Sequence, residues 1–230
     1  MENLVCSVRL MRQDDVSQIT GIDRESFPGM YPPVNYEREM GNHLAHYIVG
    51  YEEVERMEEL EELGELGEES SPPEAAGSGG FAFRVRELFN RNSFLRKKVT
   101  DTDKQEIVGF AGFWVVAQEA HVISIAVKES RRREGIGELL FISIIDLALE
   151  LKAHILSLEA RVSNSTAQSL YAKYGLIQTG LRRNYYMDDK EDAVIMTAEN
   201  ITSAQYQAQL QRLKQAHSRR WGIALYQIAR

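Results

Sequence analysis

Between residues 119 and 162 the chain runs strand, turn, helix, strand with little in between. "EAHVISIAVKE" and "HILSLEARV" are rich in β-branched and aliphatic residues, as strands are. The segment joining them, "RRREGIGELLFISIIDLALELKA", repeats Ile136, Leu139, Leu140, Ile144, Leu147 and Leu151 at helical spacing. That spacing predicts one long helix with a single buried stripe. In "HILSLEARV", Leu156, Leu158, Ala160 and Val162 share one face, and Ile155, Ser157, Glu159 and Arg161 the other. A long apolar helix between two strands needs a sheet to pack on, so the chain is confined to mixed α/β architectures.

The remaining elements extend that sheet. "CSVRLMR" (6–12) alternates as a half-buried strand does, and "QDDVSQITGIDRESF" reads as a short amphipathic helix with Asp14 or Asp15 as its cap. "PGMYPPVNYEREM" is a Pro/Gly-rich loop leading into a second short helix, and "AHYIVGYEE" (45–53) is a strand. "EIVGFAGFWVV" (106–116) pairs with the strand after it through a short turn. "SNSTAQSLYAKYG" is a helix capped by Ser163 or Asn164 and ended by Gly175. "LIQTGLRRNYY" and "DAVIMTAE" read as two closing strands, and residues 201–226 as an amphipathic helix. The predicted organisation is one domain over 1–200, interrupted by a charged insertion at 54–104, with a C-terminal helical extension over 201–230.

The insertion explains the charge. The chain carries −7, but residues 52–74 hold eleven Glu and one Arg, a local −10, which leaves −7 − (−10) = +3 elsewhere. Residues 54–66 suit a Glu-rich helix, 67–80 have linker composition, and 81–104 turn basic. Mild basicity outside the insertion permits an anionic ligand without requiring nucleic acid. No apolar run approaches the roughly 20 residues that span a bilayer, and the first residues lack a signal-peptide pattern. The single cysteine, Cys6, excludes an internal disulfide and reads as a small buried hydrophobe. These features suggest a cytoplasmic protein without membrane contact.

"SRRREGIGEL" (130–139) carries the first chemical signal. A helix start exposes unpaired amides and positive potential, which suits phosphate groups. Gly135 and Gly137 keep side chains out of the way, and Arg131, Arg132 and Arg133 add charge. It is neither a Walker A loop nor the three-glycine dinucleotide fingerprint. An exposed basic turn with glycines for helix packing is the bland alternative. Glu134 is the oddity, an acid inside a phosphate seat. Glu159 sits mid-strand between Leu158 and Ala160; it either pairs with Arg161 on an exposed face or serves as a general base. Tyr171 suits core packing, Asn164 a helix cap, and "RRNYY" (182–186) a strand with two cations and two aromatics.

Taken in order, "ISIAV", "RRREGIG", "LSLEARVSN", "SLYAKYG", "RRNYY" and "EDAVIM" resemble the GNAT acetyltransferases, whose signature Gln/Arg-x-x-Gly-x-Gly/Ala matches Arg132 to Gly137. The likeness is good over 106–198, loose over 6–50, and within the family points to the bacterial RimI branch, which acetylates the N-terminus of a small-subunit ribosomal protein. The pattern is departed from at Arg132, Glu134 and Leu176. The resemblance implies a mostly antiparallel sheet of about seven strands, splayed between the fourth and fifth and flanked by helices. It implies acetyl-CoA as acetyl donor, no metal, and a protein N-terminus as acceptor. Glu159 would be the general base and Tyr171 the general acid. Ile125, Ala126 and Val127 would pair with the pantetheine arm, Asn164 would contact it, and Arg132, Arg133, Glu134, Gly135, Ile136 and Gly137 would surround the pyrophosphate. Tyr31, Tyr36, Arg183 and Tyr185 would line the acceptor groove. A lysine or small-amine acetyltransferase, a non-catalytic coenzyme A module and a nucleic-acid binder are the competing readings.

Overall fold

A computed structural model describes residues 6–29, 33–53 and 105–222. The insertion at 54–104, its expected Glu-rich helix, Tyr31 and the end of the last expected helix lie outside the described residues. Apart from Glu53 and Gln105, the described residues belong to one compact unit. In chain order its elements are β1 (Ser7–Leu10), α1 (Val16–Ser26), α2 (Tyr36–Met40), β2 (Ala45–Glu53), β3 (Gln105–Val116), β4 (Glu119–Val127), α3 (Ile136–Glu150), β5 (Ile155–Arg161), α4 (Ser165–Lys173), β6 (Ile177–Arg182), β7 (Ala193–Ala198) and α5 (Ala204–Trp221). The seven strands form one sheet in the order β1-β2-β3-β4-β5-β7-β6.

Local chemistry accounts for the connections. Ala117 and Gln118 both take positive φ, 47° and 70°, the two-residue turn that lets β3 and β4 pair antiparallel. The chain then leaves the sheet through α3 and returns as β5, parallel to β4, as a crossover helix requires. Asn35 and Asn164 cap α2 and α4, accepting from the Arg38 and Ala167 amides at 3.0 Å each. Arg9 on β1 grips Asp15 at the start of α1 through two bonds of 2.6 and 2.8 Å, both side chains buried.

The sheet is covered on both faces. One face packs α3, α4 and α5 around Phe141, Ile144, Leu156, Leu158 and Tyr174. The other packs α1 and α2 around Ile19, Ile22, Tyr36, Tyr47 and Phe110. Cys6 is buried in the first of these cores, and burial pushes its thiol up to about 12. It therefore stays protonated.

Two expectations are corrected. Helix α3 has no single stripe: Phe141, Ile142, Ser143 and Ile145 are buried along with the predicted positions, while Leu151 is exposed. Downstream elements cover the rest of the helix: Tyr171 of α4 and Tyr174 just after it pack on Phe141 at 4.9 and 5.6 Å, and α5, whose Leu210 is 3 % exposed, pairs its Lys214 with Asp146 of α3 at 2.5 Å. "RRNYY" is strand only through Arg182. Asn184 takes a φ of 52° and its amide donates to Asp192, so the chain turns there and residues 183–192 form a hairpin loop. Leu210→Ala should destabilise the protein by about 2–5 kcal/mol in urea unfolding, because it empties a closed site. Leu181→Ala, at a position 47 % exposed, should change stability by well under about 1 kcal/mol.

Candidate active site

The site begins with a strand that bends. Strands β3 and β4 keep register from Val116–Glu119 to Phe113–Val122, then resume at Gly112–Ser124, so Ile123 is an extra residue in β4. Such a bulge bends and twists its strand. Parallel pairing of β4 with β5 stops at the same place: Glu119–Val122 match Ile155–Leu158, and no register pair follows. Beyond Val122 and Leu158 the two strands part. Lys128 donates to the Val108 carbonyl, which makes every second residue of β4 face β3. The ladder therefore directs Ala126 toward β3, opposite Phe110, and turns the amide and carbonyl of Ile125 and Val127 into the opening. Arg132 takes up one of these groups, its Nε donating to the Val127 carbonyl at 3.2 Å.

The turn before α3 shows how its charges are used. Gly135 has a φ of 80°, and a Cβ there would come within 2.7 Å of the Trp221 indole, so glycine is required twice over. Arg133 also takes positive φ, 71°, a conformation uncommon outside glycine. A Cβ on Gly137 would meet only Val127, at 3.7 Å, so the space over the helix start is open. No side chain caps α3, which leaves its first amides free to bind. Arg131 does not face this seat: it forms a two-bond pair with Glu52 at 2.5 and 2.6 Å and donates to Glu134 at 2.9 Å. Glu134 is thus turned toward Arg131. The exposed cations at the turn are Arg132 and Arg133.

Glu159 lies on β5 one residue past the last pair with β4, and its side chain is 6 % exposed. One carboxylate oxygen sits 3.0 Å from His121 Nε2 and the other 3.0 Å from the Arg182 guanidinium. The hydrogen bond to His121 and the charges of His121 and Arg182 hold this carboxyl below the usual glutamate range, against the effect of burial. Glu159 does not pair with Arg161. That arginine binds Asp188, Asp189 and Glu191 and stacks on the Tyr186 ring at 3.9 Å, pinning the hairpin between β6 and β7.

The other expected residues fall into three groups. Tyr171 on α4 packs on Phe141 at 4.9 Å between ring centroids, and burial pushes its hydroxyl up to about 12. Asn164 acts as a cap through its side-chain oxygen. Arg183 is exposed, and Tyr185 is 40 % exposed beside Arg182. Tyr36 is a correction: it is 2 % exposed and packs edge-on against Tyr47 and Phe110, so its ring belongs to the core rather than to a groove wall.

Sequence reasoning passed over His121, Arg182 and Tyr186. Alternation along β4 puts His121 opposite the core face, the one signal that distinguishes it. On the α1–α2 side of the sheet a cavity of about 800 Å³ opens between Asp23, Asn35, Arg38, Glu39, Trp114 and Ile123. Trp114, which lines it, stands in register with His121.

A depressed carboxyl contributes stability above its unfolded value and loses it as the pH falls through its folded value. Wild-type stability should therefore drop below about pH 4.3, the ordinary glutamate value, more steeply than that of Glu159→Gln. Urea midpoints between pH 3 and 6 measure the difference.

The Acetyltransferase (GNAT) family profile matches residues 54–176. The [ribosomal protein bS18]-alanine N-acetyltransferase of Escherichia coli is 38% identical over 97 residues, 41% of this chain and 66% of that protein. A Bacillus subtilis relative, given the same activity provisionally in its name, is 47% identical over 90 residues, 39% of this chain and 60% of its own. The chain thus matches under two thirds of the length of either relative. Among solved structures, the ribosomal-protein-S18-alanine N-acetyltransferase from E. coli aligns with a TM-score of 0.54 at 20% identity, covering 85% of this chain and 94% of that one. Ard1 from Thermoplasma volcanium aligns at 0.57 and 19%, covering 85% and 97%. A splayed mixed sheet with a Gly-x-Gly turn at its central helix and a profile match over more than half the sequence agree: the chain belongs to the GNAT acetyltransferase family.

Proposed function

We propose that the chain transfers the acetyl group of acetyl-CoA to the N-terminal α-amino group of a protein, and that this protein is a ribosomal protein of the bS18 type. One observation carries the reading: a nearly buried carboxylate, Glu159, stands on β5 one residue past its last pair with β4, where the two strands part. The names of the relatives support the acceptor. A ribosomal acceptor implies action in the cytoplasm, and among the described residues no helix is long and apolar enough to cross a membrane.

The residues present fit acetyl-CoA. The open space over Gly137, where a Cβ would meet only Val127, and the uncapped start of α3 suit a pyrophosphate. Arg132 and Arg133 add charge at its rim. The amide and carbonyl of Ile125 and the amide of Val127 offer an added strand to the pantetheine amides, which Asn164 would also contact. Acetyl-CoA supplies an acyl group already activated as a thioester.

The protein's own groups then handle protons. A protein N-terminus has a pKa of about 7.7–8.0 and arrives mostly protonated at neutral pH. Glu159 is ionised there and accepts that proton. Tyr171 keeps its own proton at neutral pH, and its hydroxyl donates to the departing sulfur. A phenol held near 12 is a weaker acid than a thiol, so this donation acts chiefly as a hydrogen bond to the thiolate. The hairpin pinned by Arg161 presents Arg183 and Tyr185 at the rim, where an acceptor peptide enters.

Glu159→Gln should lower kcat by about 10²–10⁴-fold with a free-N-terminus peptide. Acetyl-CoA affinity, measured by calorimetry, should stay within about twofold, because Glu159 lies outside the phosphate seat. Wild-type turnover in that variant would remove Glu159 as the base. Mass spectrometry of peptides with free and blocked N-termini locates the acetyl group; acetylation confined to lysines or to small amines would overturn the acceptor assignment.

A further inference from the structure

Glu159 alone is a poor store for the proton it removes. An ordinary glutamate carboxyl titrates at about 4.3, whereas the amine that gives up the proton titrates near 8. The hydrogen bonds around Glu159 show where the proton can go. They run from Glu159 to His121, from His121 to Ser157 and from Ser157 to Glu119, all on one side of the paired part of β4 and β5.

The direction of each bond follows from what each group can donate. The Glu119 carboxylate only accepts, so the Ser157 hydroxyl gives it its hydrogen. Ser157 Oγ then accepts from His121 Nδ1 across 2.8 Å, so Nδ1 carries a hydrogen. With that hydrogen assigned, Nε2 of a neutral ring points a lone pair at the Glu159 carboxylate, 3.0 Å away. One further proton completes the chain, and it fits between Glu159 and His121. The groups facing this pair come from four elements and the hairpin. Glu119 lies on β4 and Ser157 on β5, Arg182 of β6 binds the other Glu159 oxygen, and Tyr185 and Tyr186 feel the Glu159 charge. Trp114 of β3, which donates to Glu39 of α2, stands in register with His121.

We propose that His121 is where the proton taken by Glu159 comes to rest, and that Ser157 and Glu119 are positioning residues that hold the ring ready to receive it. The inference rests on the reading of Glu159 as the base. An N–H bond of the acceptor ammonium breaks as an O–H bond forms on Glu159. That O–H bond then breaks as an N–H bond forms at His121 Nε2. The resulting imidazolium lies between the Glu159 carboxylate and, through Ser157, the Glu119 carboxylate. The ring releases the Nε2 proton to water, to which its side chain is 31 % exposed. Only a proton moves at each step: the pair of the broken bond stays on the atom it leaves, and a lone pair of the acceptor forms the new bond. Register explains the placement: His121 is opposite Ser157, one residue before the strands part, so the ring sits at the mouth of the opening.

The test is kcat against pH with a free-N-terminus peptide for wild type, Ser157→Ala, Glu119→Gln and His121→Gln. The relay works only when Nε2 is free, so activity falls on the acid side as the pair gains its proton. Removing the remote carboxylate, or the hydroxyl that connects it, makes the imidazolium less favourable. Ser157→Ala and Glu119→Gln should therefore move the acid limb to lower pH, by roughly half a unit or more. His121→Gln should lower the plateau by about 100-fold and remove the acid limb. An unmoved limb in all three variants, with only a lower plateau, would mean that these residues merely support the fold. Ring-nitrogen NMR of His121 without acceptor separates this inference from the function it rests on. Glu159→Gln should perturb Nε2, and Ser157→Ala should perturb Nδ1. If neither nitrogen responds, the relay is wrong even in an active enzyme. If both respond and no acceptor is acetylated, the acetyl-transfer reading fails and the relay falls with it.

Discussion

The site depends on the extra residue in β4. Ile123 breaks the ladder to β3, β4 bends, and its pairing with β5 ends after Val122 and Leu158. An open edge in mid-sheet is ordinarily costly, because buried amides and carbonyls need partners. Here the exposed groups belong to alternate residues, Ile125 and Val127, and Arg132 already satisfies the Val127 carbonyl. The same divergence leaves Glu159 at the edge of the opening, unpaired with β4, while β7 holds its strand from the other side. One irregularity thus creates both an open strand edge and the gap beside Glu159.

Charge is arranged so that few groups compete for Glu159. Arg131, first of the three arginines, is neutralised by Glu52 and Glu134, which turns the misplaced acid of the phosphate seat into the partner of a structural cation. Arg161, the obvious sequence neighbour for Glu159, is taken up by Asp188, Asp189 and Glu191. Glu159 is left with Arg182 and His121, one permanent charge and one that can change. The ion pairs of Arg131 and Arg161 also anchor loops: the first holds the turn before α3 to β2, and the second holds the β6–β7 hairpin over the end of β5.

Much of this was legible in the chain. The strand–helix–strand run at 119–162 set the architecture, Asn164 showed itself as a cap, and the alternation in β5 placed Glu159 off the core face. What escaped was contact between distant segments. Nothing in "RRNYY" says which arginine reaches Glu159, because the answer depends on where β6 ends and Asn184 turns the chain. The resemblance put Tyr36 in the acceptor groove, yet its ring packs edge-on against Tyr47 of β2 and Phe110 of β3. The single stripe on α3 failed for the same reason, since Tyr171, Tyr174 and α5 arrive from downstream to cover what a lone stripe would leave bare. His121 shows its position by alternation, but its meaning lies in Ser157 and Glu119, which only the parallel register brings beside it.

If the open edge of β4 is where acetyl-CoA docks, the two backbone positions turned into the gap should report it. Amide hydrogen exchange of the full chain, with and without saturating acetyl-CoA, measures this directly. The Ile125 and Val127 amides should slow strongly on binding, while that of Ala126, already directed at β3, should change little. Saturable binding with the Ile125 and Val127 amides unaltered would contradict the account, because the ligand would then lie elsewhere than between β4 and β5.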